Sequence, residues 1–244
     1  MAEENKVFLT SEQIRDVYIS TGIDKCELGK ALFEINDGFF HGSKGGIINK
    51  ISIKFGRKNI DFGQGFYVGD NIVQAGTLCV SAKNSYIYRC SIDFTNLKVY
   101  RFTSSEKWVL FIAVNRGIIT KDDNIKLYNY YKDLCEGYDI IVGPIADDSL
   151  TPSFYQYCNI NSTLTIDDLV HVLTMVKLEN QYVFKTNKAV ENLKIEETLK
   201  LIGNDKLILK EISNDNYLFG KLASKMLGRI KRGKTYKQIL KEWK

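Results

Sequence analysis

Apolar residues recur along this chain in two periods, and the switches between them outline its elements. Over residues 10–36 the spacing is helical. Thr10 or Ser11 offers an N-cap with Glu12 in the first turn, and Ile14, Val17 and Tyr18 share one face. Gly22 breaks that pattern, and Cys26, Leu28, Ala31, Leu32 and Phe33 start a second short helix. From Gly38 the character changes. FFHG and ISIKF read as strands, GRKNIDFGQG as a polar, Gly-rich loop, and FYVG as a short strand before a helix over 71–83. YIYRCSIDF and LKVYRF predict a hairpin around Asn96, with helices over about 106–115 and 125–135 after it. YDIIVGP predicts a buried strand ending at Pro144, and 165–176 a helix with Asp167 and Asp168 in its first turn. QYVFKT closes this stretch as a strand. Beyond Asn187 the pattern predicts helices over 188–202 and 217–231, with KLILKEI as a strand between them. A closing helix carries Tyr236, Ile239, Leu240 and Trp243 at helical spacing.

Strands and helices mixed in this irregular way predict an α+β fold rather than a doubly wound sheet. Three parts follow: a helical N-terminal segment over 1–37, a main domain over 38–190, and a basic, mainly helical extension over 191–244. Two prolines exclude a Pro-rich linker, and a hydrophobic share of 44% is ample for a packed core. The five cysteines are scattered without a C-x-x-C pair, so neither a disulfide framework nor a metal site is expected. The start, MAEENK, predicts no secretory signal, and no apolar run is long enough for a membrane span. The expectation is a cytoplasmic protein with no membrane partner.

Charge adds one feature. The net charge is +5, yet residues 221–244 hold nine Lys or Arg against the single acid Glu242, which leaves the remainder at −3. A basic segment on a slightly acidic body fits a polyanionic partner, and equally a solvated helical face.

The chemistry-bearing segments lie in the main domain. GQGFYVG departs from the dinucleotide fingerprint, because its third glycine, Gly69, falls one place late and the glycines lead into a strand instead of a helix. Alone it is a tight turn before a strand. Together, FFHGS, GRKNIDFGQGFYVGDNIVQA, YDIIVGPIADD and ENQYVFKT carry more. The first, second and last resemble the signature regions of the ADP-ribosyltransferase superfamily in its His-Tyr-Glu branch: a strand with His-Gly, a G-x-G-[FIL]-Y strand followed by a helix containing an alanine, and a carboxylate opening a late strand. The matching positions are His41-Gly42, Gly63 to Tyr67 with Ala75, and Gln181. The set is also similar to an uncharacterised bacterial family grouped with that superfamily, with GR-x-x-x-DFG-x-GFY, GP-x-ADD and Gln-x-x-F motifs.

The resemblance implies an ADP-ribosyltransferase-like split β-sandwich with flanking helices and NAD as substrate, without a metal. In it His41 would hydrogen-bond a ribose hydroxyl, Gly42 would pair with the nicotinamide amide through its backbone, and Tyr67 would stack on the nicotinamide. Ser43, Gly65 and Phe66 would line the same site, Gly65 admitting the ligand close to the backbone. Arg57 would contact the pyrophosphate, and Asp61 would fix the loop. Cleavage at the anomeric carbon builds positive charge there, which a carboxylate stabilises. This chain has Gln181 at that position. Its amide keeps the hydrogen bond but supplies neither a full negative charge nor a base, so Glu179, Asp147 and Asp148 stand as alternative carboxylates.

The function so implied is mono-ADP-ribosylation of a protein or nucleic-acid acceptor, in the manner of bacterial toxins and phage-defence effectors that have a neutralising partner protein. The alternatives are an NAD glycohydrolase and a catalytically silent NAD- or nucleic-acid-binding module. Each residue also has a plainer role: His41 as a hydrogen-bonded strand histidine, Tyr67 as a core aromatic, Asp147 and Asp148 as turn caps, and Asn115-Arg116 as a helix C-terminal cap. His171 reads as structural, and Trp108, Phe111 and Ile112 as core.

Overall fold

The computed structural model describes residues 38–175 and 178–244. The helices expected over 10–36 lie outside them. Seven strands form one mixed sheet: β1 (Phe39–Ser43), β2 (Phe66–Gly69), β3 (Tyr86–Ile92), β4 (Val99–Arg101), β5 (Ile140–Pro144), β6 (Asn180–Phe184) and β7 (Leu193–Lys200). Their spatial order is β4-β5-β6-β2-β1-β3-β7, and the pairs are antiparallel except β4 with β5. Eight α-helices accompany the sheet among the described residues: α1 (Ile72–Cys79), α2 (Glu106–Asn115), α3 (Ile125–Asp133), α4 (Thr151–Tyr157), α5 (Ile166–Met175), α6 (Asn187–Glu191), α7 (Gly203–Ser224) and α8 (Tyr236–Glu242). The expected mixture of strands and helices is present.

Alternation along the strands sorts side chains between two faces. Register pairs set Tyr67, Val183 and Ile141 on one face, where α2, α3, α4, α5 and α8 complete the largest core. Phe40 and Ile87 share that face further along, under α1 and Leu209 of α7. Phe66, Val68, Tyr88, Val142 and Phe184 point the opposite way, covered by Ile48, Ile51 and Ile53 of the loop after β1 and by α6. Helix α2 has the run WVLFIAVN buried without a polar stripe, as expected of a helix enclosed on all sides. Helix α1 starts where Asn71 Oδ1 accepts from the backbone N–H groups of Val73 and Gln74 at 2.8 and 3.0 Å.

Several sequence expectations are corrected. ISIKF is not a strand; its isoleucines pin an irregular loop to the second core. YIYRCSIDF and LKVYRF do not pair as a hairpin. Asn96 does turn the chain in a left-handed conformation (φ 63°), but β3 finds its partners in β1 and β7 while β4 pairs with β5 at the far end of the sheet. The stretch 188–202 is helical only over Asn187–Glu191 and then becomes β7, an edge strand whose outward positions include the charged Lys194, Glu196 and Lys200. KLILKEI is part of α7, which anchors through Leu209. The stretch 191–244 packs with the rest of the described chain. It contributes β7 to the sheet, and α8 buries Tyr236 and Ile239 in the main core.

Candidate functional site

The three strands singled out by motif are adjacent at the centre of the sheet, in the order β6-β2-β1. Gln181 is opposite Gly69, and Gly69 is opposite Phe40. Strands β1 and β2 share that single register pair, whereas β1 and β3 share five.

Across this weakly paired seam the His41 Nδ1 is 2.7 Å from the backbone carbonyl oxygen of Tyr67. A carbonyl only accepts, so Nδ1 carries the proton. Burial lowers the His41 pKa, against the opposing pull of that hydrogen bond, which keeps the ring neutral. Nε2 therefore presents a lone pair, and no described residue partners it. The ring stacks on Phe66 at 4.4 Å, on the face opposite Tyr67 and Gln181. Gly42 has a packing reason: a methyl group there would overlap the backbone carbonyl oxygen of Ala75, so β1 and α1 lie closer than any side chain allows. Ser43 is buried, and its hydroxyl donates to the Gly46 carbonyl at 3.0 Å.

Tyr67 and Gln181 share the other face, where Gln181 meets Asp61 and Tyr67 meets the loop residues just after it. The Tyr67 hydroxyl donates to the Gly63 carbonyl at 2.6 Å and accepts from the Phe62 N–H at 3.2 Å, which fixes the ring against its own loop. Burial, reinforced by the Asp61 charge, pushes its pKa well up, so the phenol stays protonated. Gln181 Nε2 donates to Asp61 Oδ2 at 2.7 Å and to the Pro144 carbonyl at 3.3 Å. Its Oε1 is thereby left as the free end of the amide. Asp61 also takes Arg116 through Nε at 2.7 Å and Nη2 at 2.6 Å, and both side chains are only 8% exposed. Arg116 reaches on to the Thr151 hydroxyl, the Ala146 carbonyl and Asp148. A cleft of about 150 Å³ opens beside it, lined by Arg57, Asn59, Arg116, Asp148, Thr151 and Tyr155 among others.

The loop between Asp61 and β2 is held by its own chemistry. Gly63 adopts φ +71°, a conformation that favours glycine, and a side chain at Gly65 would strike the Phe184 carbonyl and Val183. Gly65 is thus spent on packing against β6. Phe66 points into the second core. Lys185 donates to the carbonyls of Phe62 and Gln64 at 2.9 and 2.6 Å, and burial pulls its pKa down to about 8.

The alternative carboxylates separate. Asp147 accepts from the Ser149 N–H at 2.7 Å and caps the turn before α4, the plainer role the sequence offered; burial raises its pKa. Asp148 is 82% exposed and meets Arg116 at 3.1 Å on the cleft. Glu179 takes a left-handed backbone (φ 63°) just before β6, an uncommon state for a side chain that large. His171 lies exposed on α5.

Arg116 does sit at the C-cap of α2, as its position in the sequence suggests, but its guanidinium goes to Asp61, a meeting the sequence did not disclose. One signal was available. A cation directly after eight consecutive buried residues emerges beside the core and needs a partner. Among the described residues there is no His, Cys, Asp or Glu cluster suited to a metal ion, and no helix long and apolar enough to cross a membrane.

The chain belongs to the family described as "Protein of unknown function (DUF3990)", whose model matches residues 38–195. Comparison with curated proteins and with solved structures gave no match.

Proposed function

We propose that this chain binds NAD and transfers its ADP-ribosyl group to a macromolecule. The observation that carries the reading is the adjacency of β6, β2 and β1. Three segments far apart in sequence, chosen for resemblance to one superfamily, meet at the sheet centre with Gln181, Gly69 and Phe40 in one register row. The seam between β1 and β2 suits a split sandwich. In the reaction the bond between nicotinamide and ribose breaks, and nicotinamide leaves with the electron pair. A heteroatom of the acceptor bonds the same carbon and releases its proton to solvent. On the Tyr67 face the Gln181 Oε1 is an acceptor suited to a sugar hydroxyl and the fixed Tyr67 ring is suited to stacking, whereas the His41 Nε2 lone pair is offered on the opposite face of the sheet and would meet a different part of the ligand. Arg57 and Arg116 supply guanidinium groups for phosphate. The cleft takes a single ring or one phosphate, so most of a dinucleotide would lie on open surface.

One observation favours a second reading, a catalytically silent NAD-binding module. The third position is an amide tied to Asp61, and Asp61 is itself paired with Arg116. Incubation with NAD labelled in its adenine part, plus cell lysate, separates these. Label on protein or nucleic acid supports transfer. Free nicotinamide without attached label identifies a glycohydrolase. Binding without nicotinamide release identifies the silent module. Calorimetry should show His41→Ala weakening NAD binding by about 1–3 kcal/mol, the cost of one buried hydrogen bond; equal affinity removes His41 from the site.

A further inference from the structure

The loop from β1 to β2 carries a charge pattern of its own. Residues 42–60 contain Lys44, Lys50, Lys54, Arg57 and Lys58 and not one acid. All five cations are exposed, and among the described residues none is in an ion pair. The loop is nevertheless anchored. The Tyr88 hydroxyl accepts from the Ile48 N–H at 2.8 Å and donates to the Gly46 carbonyl at 3.2 Å, and Gln64 Nε2 donates to the Lys54 carbonyl at 2.7 Å. Ile48, Ile51 and Ile53 pack inward. Against that order Phe55 stands 85% exposed, between Lys54 and Arg57. Arg57 in turn lines the cleft beside Arg116, where Tyr155 is a second exposed aromatic ring.

We infer that this loop docks a single-stranded nucleic acid and leads it to the cleft. Held cations with no competing acids track a phosphate backbone, and a bare aromatic ring among them stacks on an unpaired base. A duplex offers no such free base face. A membrane surface fits less well, because Ile48, Ile51 and Ile53 are turned into the core, which leaves Ile47 as the one exposed isoleucine of the loop, and no amphipathic helix is present there. As the identity of the acceptor, the strand rests on the proposed transfer; as a ligand, it is tested without NAD.

The test is fluorescence anisotropy of labelled 12-nucleotide oligo-U and oligo-dT against the full chain at several salt concentrations. Binding should fall steeply with salt. Lys50→Gln, Lys54→Gln and Lys58→Gln combined should reduce the log–log salt slope by about 2, since single strands release about 0.7 counterion per phosphate contact. Phe55→Ala should lower affinity about ten-fold at every salt concentration and leave the slope unchanged. All four side chains are exposed, so melting temperatures should match wild type. The inference is overturned if neither oligonucleotide binds, if binding ignores these substitutions, or if the chain sediments with phosphatidylserine vesicles and leaves oligonucleotides free. Strand binding without label transfer overturns the transfer reading and leaves the docking intact. Label on protein with no strand binding does the reverse.

Discussion

Asp61→Asn is the substitution with the most to reveal, because its shape is conserved and its chemistry is not. Asp61 accepts from Arg116 Nε and Nη2, from the Ala146 N–H at 3.3 Å and from Gln181 Nε2. All of these are donors. An asparagine has one oxygen to offer them, so its NH2 must face either Arg116 or the pair of Ala146 and Gln181. The change also strips the counter-charge from a guanidinium that is 8% exposed. Asp148 also pairs with that guanidinium, but it is 82% exposed and screened by water. Breaking a buried pair from one side costs about 3–5 kcal/mol. At roughly 2–4 °C per kcal/mol for a chain of this size, the melting temperature should fall by about 6–20 °C. Urea unfolding followed by circular dichroism measures the loss. A double-mutant cycle with Arg116→Met should show a coupling of about 2 kcal/mol or more, the two changes together costing less than their sum. Loss below about 1 kcal/mol for Asp61→Asn, or additive costs, would refute the view that this pair organises the site.

Three further outcomes follow from the same contacts. Gln181→Glu sets a second carboxylate about 2.7 Å from Asp61. One of the two should then hold a proton, so the variant's deficit against wild type should widen as pH rises from 5 to 8, read by urea midpoints; a pH-independent deficit means the two do not interact. Lys185, with its folded pKa pulled down to about 8, holds fewer protons folded than unfolded between pH 8 and about 10.5. Wild type should therefore gain roughly 1–3 kcal/mol relative to Lys185→Met across that window and nothing below it, and a flat difference would show that Lys185 is well solvated. Gly42→Ala should cost about 2–3 kcal/mol by driving α1 off β1; a variant as stable as wild type in thermal melts would leave Gly42 free for a ligand role alone.

The sequence by itself determined those elements whose stability is local or one-sided. The run WVLFIAVN reads as an enclosed helix, IIVGP as a buried strand, and Tyr236, Ile239 and Trp243 as a helix face, because burial imprints a period on a short stretch of chain. Asp147 was legible as a cap too, since a turn or cap is settled within three residues. What only the tertiary structure decided is which strands pair and which charges meet. Asn96 turns the chain as its residue type suggests, yet β3 pairs elsewhere, because sheet partners are chosen by the whole set of strands and not by the nearest one. NLKIEETLK is rich in good helix formers and still becomes an edge strand, since β3 offers it a ladder of backbone partners. Arg116 meets Asp61 across 55 residues and Gln181 meets it across 120. Nothing near any of the three in sequence encodes that meeting; it exists because burial of α2, β6 and the loop before β2 brings their polar ends to one place, where water can no longer satisfy them.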